Sequence, residues 1–216
     1  MMRLHAALID RRAYAGLPHP FLTETVVQDL DLKASNAAEA SDAHVCASVS
    51  AKVLDWALDG LAIDPRDYSF IDIGSGCGVA VLRAASRPFQ RAIGVELARE
   101  MHELALANAE WANRHWPIAA GAIELHNESA LNTVLPDSPC VVFLYSPFGE
   151  SVMQSFIERV IASWRQNPRP MIVLYLHAVH DDLFQRREFV PLPLQQPERL
   201  YLALLGPVAV KAYKVA

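Results

Sequence analysis

Residues 70–85, FIDIGSGCGVAVLRAA, decide the architecture. The apolar run Phe70–Ile73 has the length of a strand and ends in glycines at 74, 76 and 78, and a helical run from about Val79 to Ser86 follows. Glycine lets the chain bend sharply after a strand and lets a ligand lie against the main chain. The same rhythm continues toward the C-terminus. A second strand is predicted at Ala92–Val95, then a helix over Ala98–Arg114 with Leu97, Met101, Leu104, Asn108 and Trp111 along one side. A third strand is expected at Ile123–His126, a fourth at Val141–Tyr145 and a fifth at Met171–Leu176. The helix Ser151–Arg165 before the fifth strand should bury Val152, Phe156, Val160 and Trp164. Strand–helix alternation implies right-handed crossovers and a parallel sheet, and the fully apolar fourth and fifth strands suit positions covered on both faces. Leu200–Leu205 and Val208–Val215 meet at Gly206-Pro207 with no room for a helix, which predicts an antiparallel hairpin.

Toward the N-terminus, Val45, Val49, Val53, Trp56 and Leu61 predict a helix over 45–61, closed by Gly60 and Pro65. Residues 1–44 are weakly patterned and read as an N-terminal arm or lid, with 45–216 as the folded domain. The expectation is a doubly wound α/β domain. It has a mostly parallel, seven-stranded sheet with helices on both faces and an antiparallel C-terminal hairpin.

The bulk numbers agree. A chain of 216 residues that is 52% hydrophobic and 20% charged can bury a substantial core. A net charge of −5 gives no footprint for nucleic acid. The arginines between Arg83 and Arg99 read as a solvated helix face. Cys46, Cys77 and Cys140 are odd in number and far apart, so neither a disulfide framework nor zinc spacing is implied, and a cytoplasmic setting is expected. The opening MMRLHAALIDRRAY lacks the apolar stretch of a signal peptide, and no apolar run is long enough to span a membrane.

A glycine turn alone serves NAD, FAD and adenosylmethionine sites alike. Two details separate them. A dinucleotide fingerprint needs glycine at 74, 76 and 79, but position 79 is valine. Asp72 stands two residues before the first glycine, where a carboxylate would repel a pyrophosphate but attract a cationic amino group. Glu96, closing the second strand, can accept hydrogen bonds from both ribose hydroxyls, a feature NAD enzymes share.

FIDIGSGCG (70–78), GVELAREMHELALANA (94–109) and VVFLYSPFG (141–149) together resemble motifs of the class I S-adenosylmethionine-dependent methyltransferases. DRRAYAGLP and LYSPFG also resemble a bacterial subgroup with an LYNPF-type fourth motif. The resemblance implies S-adenosyl-L-methionine as cofactor. It implies that Asp72, Gly74, Ser75, Gly76 and Gly78 contact its methionine part and ribose, and that Glu96 holds the ribose hydroxyls. Leu97 would pack on adenine, with Glu128 and Ser129 at the adenine edge; the family usually has Asp at position 128.

The acceptor side falls at Tyr145-Ser146-Pro147-Phe148, after the fourth strand. In amino-directed members of the family an Asn or Asp precedes the proline and orients the target NH₂. Here Ser146 replaces it, with Phe148 as the stacking aromatic; the bland alternative is a plain turn. The fifth strand runs into LHAVHDD, and His177 is the candidate general base. His177, His180 and Asp181 do not form a defined ligand set, and no metal is expected. The expected reaction is in-line methyl transfer to a small molecule or protein side chain, with nucleic acid less favoured. The rival readings are a non-catalytic binding module on the same fold and an NAD(P)-dependent oxidoreductase.

Overall fold

The computed structural model describes residues 51–195 and 209–216. The N-terminal arm, residues 45–50 and the first arm of the expected hairpin, Leu200–Leu205, lie outside the described residues. Seven strands form one sheet in the order β3-β2-β1-β4-β5-β7-β6. They are β1 Ser69–Ile73, β2 Ala92–Glu96, β3 Ile123–Asn127, β4 Cys140–Tyr145, β5 Met171–Leu176, β6 Phe189–Pro191 and β7 Val210–Val215. The helices are α1 Ala51–Gly60, α2 Val79–Ala85, α3 Arg99–His115 and α4 Glu150–Gln166. Strands β1 to β5 pair in parallel, and β7 runs antiparallel to both β5 and β6.

Strands β1, β4 and β5 are buried along their whole length or nearly so, and β4 and β5 accordingly read as unbroken apolar runs. One face packs Ile71, Val142, Leu144, Val173 and Tyr175 against Met153, Phe156, Ile157 and Val160 of α4. The other packs Phe70, Phe143, Ile172 and Leu174 against Leu54, Ala57 and Leu58 of α1 and Ala80 and Ala84 of α2. The doubly wound expectation holds. Among the described residues no helix is long and apolar enough to cross a membrane.

Three expectations are revised. The outer partner of β7 is β6, only three residues long, pairing Phe189 with Val215 and Pro191 with Tyr213. Helix α3 buries Met101, Ala105, Asn108, Ala109 and Ala112, so its inward stripe is rotated away from Leu104 and Trp111. Alanines let α3 approach the sheet closely, and the bulky residues flank that contact. Arg83 and Arg87 are not a solvated face. Arg83 donates through Nε to Asp55 at 2.9 Å and lies 5.8 Å above the Trp116 ring; Arg87 reaches Asp55 at 2.8 Å and Asp59 at 2.9 Å. These pairs fasten α1 to α2.

Candidate active site

The strand order reverses direction between β1 and β4, and in open α/β sheets the ligand crevice lies outside the carboxyl ends of the strands at such a switch point. Two loops meet there. Gly74, Gly76 and Gly78 all adopt positive φ, at 77°, 53° and 81°. A side chain at Gly74 would also bring its Cβ within 2.8 Å of Pro147 Cβ, so the turn after β1 is pressed against the segment leaving β4.

Asp72 is 3% exposed, and no hydrogen-bond donor among the described residues meets its carboxylate. Burial, and after it the nearby Glu96 carboxylate, hold its pKa well above the usual carboxylate range. Such a group calls for a cation or a hydrogen-bond donor beyond those the described residues supply.

Glu96 has protein partners. Its Oε2 accepts from the Gly76 amide at 2.8 Å and its Oε1 from the Ala98 amide at 2.7 Å. It thus ties the glycine turn to the start of α3. An ionised carboxylate offers about four lone-pair directions, so each oxygen retains room for a further donor. Burial raises its pKa, and the backbone amides of Ala98 and Gly76 oppose that rise.

Ser75 is buried with its hydroxyl against Gly94, where a Cβ would come within 2.9 Å of it. Its amide donates to Val95 O at 3.0 Å. Leu97 is partly buried at the exit of β2. Glu128 Oε1 accepts from Thr133 Oγ1 at 2.6 Å, and Ser129 Oγ accepts from the Leu131 amide at 3.0 Å, so both shape the loop after β3.

Two asparagines complete the scaffold and were not singled out as site residues from sequence. Asn108, 2% exposed, donates from α3 to the Cys77 carbonyl at 2.9 Å and holds the glycine turn from behind. Asn127 donates to the Glu96 carbonyl at 2.8 Å and the Leu97 carbonyl at 3.0 Å, closing β3 onto the β2 exit. A polar residue inside the inward stripe of α3 was the available signal for Asn108. Asn127 had none.

At the β4 exit, Ser146 is 8% exposed with φ 43°, and its Oγ is buried without a hydrogen bond to the described residues. Phe148 is partly buried, its ring 6.0 Å from Phe156 of α4. His177 is exposed with φ 51°, its ring 6.3 Å from Tyr145. Asp181 is engaged by Tyr213 Oη and, at 3.3 Å, by Lys211 Nζ.

No protein-family model matches this sequence, and no curated protein matches it. Solved structures do. An RNA methyltransferase from Salinibacter ruber, in complex with S-adenosyl-L-homocysteine, gives a TM-score of 0.50 at 20% identity over 76% of this chain and 90% of that one. Magnesium protoporphyrin IX methyltransferase from Synechocystis PCC 6803, with S-adenosylmethionine bound, gives 0.53 at 9% identity over 77% and 79%. The fold is that of the class I methyltransferases. In this methyltransferase fold the glycine turn meets both the β2 carboxylate, through Gly76, and the β4 exit, at Pro147.

Proposed function

We propose that this protein is an S-adenosylmethionine-dependent methyltransferase acting on a small molecule or a protein side chain. The observation that carries the reading is Asp72. A buried carboxylate with no donor among the described residues, beside a second carboxylate, suits a ligand that brings a cationic amino group and would repel a pyrophosphate. The glycine turn supports it, because Gly74, Gly76 and Gly78 leave bare backbone where a ligand would lie. The cofactor supplies a methyl group on a positively charged sulfur, which leaves as a neutral thioether.

The chain's own residues bind, align and take up a proton. Asp72 holds the amino group, with the backbone of Gly74, Ser75, Gly76 and Gly78 along the methionine part and ribose. Glu96 receives the ribose hydroxyls on its remaining lone pairs. Leu97 covers the adenine face, with Glu128 and Ser129 at the adenine edge. Ser146, Phe148 and His177 border the acceptor. With the leaving group already activated, alignment supplies most of the rate, and base catalysis by His177 is secondary. The net charge of −5 makes nucleic acid the less favoured acceptor.

Calorimetric titration with S-adenosylhomocysteine and, separately, NADH tests the reading. Binding of the homocysteine compound alone is expected, weakened in Glu96→Ala. Binding of NADH instead favours an oxidoreductase. Homocysteine-compound binding without turnover on any acceptor leaves a binding module.

A further inference from the structure

The loop after β3 is pinned at several points. The Glu128 amide donates to the Glu96 carbonyl at 3.1 Å, so the loop begins against the β2 exit. The Asn132 and Thr133 amides both donate to the Ser129 carbonyl, at 2.9 and 3.1 Å, and the Leu131 amide donates to Ser129 Oγ at 3.0 Å. Ala130 and Leu135 are buried in the core cluster that packs on α4. From α4 itself, Arg159 Nη2 donates to the Thr133 carbonyl at 2.8 Å. These contacts hold the backbone of 128–135 without help from the Thr133 side chain.

That side chain is nevertheless buried. Thr133 is 4% exposed, although its neighbours Asn132 and Val134 face solvent. Its Oγ1 donates to Glu128 Oε1 at 2.6 Å, the length of a hydroxyl–carboxylate bond. The direction is forced, because an ionised carboxylate can only accept. A half-buried glutamate would otherwise keep much of its rotamer freedom. Here the Thr133 backbone is held from α4 and the Glu128 backbone from β2, so the bond between the two side chains orients the carboxyl group between fixed points. Glu128 Oε2 receives no hydrogen bond from the described residues.

An oxygen that is held in place and can only accept is a selective device. It favours a ligand edge that carries N–H over one that carries C–H, and a ligand that meets it does not have to order it first. We infer that Thr133 is a positioning residue, holding Glu128 so that the second carboxylate oxygen selects a nucleobase with an exocyclic amino group. The inference rests on the methyltransferase reading above, in which Glu128 borders the nucleobase. Thr133 acts only through Glu128.

The test is calorimetric titration of the full chain with S-adenosylhomocysteine and with its deamino analogue, in which hydrogen replaces the purine amino group. The readout is the ratio of the two affinities. Wild type is expected to favour the amino compound by about 30-fold, the strength of a hydrogen bond to a charged acceptor. Thr133→Val should reduce the ratio to about fivefold, with Thr133→Ser restoring it. Thr133→Ala, which also lacks the donor but relieves any misfit of valine, should behave as Thr133→Val does. Glu128→Ala should bring the ratio close to one, and adding Thr133→Val to it should change neither affinity further, because a residue that acts through another has no effect once that other is gone. A wild-type ratio near one overturns the inference. So does a Thr133→Val or Thr133→Ala variant that weakens both compounds equally, which is the mark of a loop that has merely loosened. Failure of wild type to bind either compound overturns instead the reading beneath it.

Discussion

Asp55 and Asp72 are both drawn out of water, and the protein treats them in opposite ways. Asp55, on α1, is met by Arg83 and Arg87; burial alone would raise its pKa, but the two guanidinium groups together outweigh that and hold it below the ordinary value. Asp72, at the end of β1, is more deeply buried and meets no donor among the described residues, and burial, with the Glu96 charge after it, pushes its pKa up. The first carboxylate is completed within the chain and joins two helices. The second is left open by the described residues and lies beside the glycine turn. An incomplete buried polar group among the described residues is therefore what marks the candidate site here.

The contrast can be broken experimentally, starting with the largest effect. Glu96→Ala removes acceptors for two hydroxyls and releases the Gly76 amide, and should weaken S-adenosylhomocysteine binding by about 3 kcal/mol, roughly 100-fold, by calorimetry. Asp55→Ala leaves Arg83 and Arg87 short of a partner and should destabilise the fold by about 2 kcal/mol in urea, discounted for partial exposure, with ligand affinity unchanged. Because the folded pKa of Asp55 lies below 3.8, its contribution is present above that value and is lost as the pH falls through the lowered one.

Asp72→Asn should act with the other sign on stability. A raised folded pKa means that folding favours the protonated acid, so the ionised form penalises the free protein once the pH rises above 3.8. The variant should melt higher than wild type at neutral pH, match it below pH 3.8, and bind S-adenosylhomocysteine about tenfold more weakly. A variant that melts lower at neutral pH would mean that Asp72 is already paired. Asn108→Ala should give the smallest change, about a fivefold loss of affinity for one buried hydrogen bond behind the glycine turn, read by the same titration.

The sheet was legible because its central strands β4 and β5 are apolar throughout; Met171–Leu176 was bounded to the residue, and β1 differs only by Ser69, recruited when its amide bonds Pro139 O at 2.8 Å. β6 was not legible, since three residues between a charged run and Pro193 carry no periodicity. Asp72, Glu96 and the glycines stood out because their chemistry is unusual at a strand end. The hold of Glu96 on Gly76, spanning twenty residues of sequence, left no local trace, because it depends on how the β1 and β2 exits are juxtaposed in space. The left-handed backbone at Ser146 and His177 was equally hidden, as no glycine or asparagine marks either position.

The 2.8 Å that would separate a Gly74 Cβ from Pro147 bears on how such a protein can be diversified. The segment after β4 is where a new acceptor preference would be introduced by grafting, and the turn after β1 is where the cofactor reading places the shared ligand. Because they touch with no slack, a grafted segment cannot be treated as an independent module. A bulkier residue in place of Pro147 would displace the turn, and acceptor and cofactor affinities would shift together. Libraries that randomise 146–148 should therefore sort into clones that keep a compact residue at 147 and clones that lose both ligands at once.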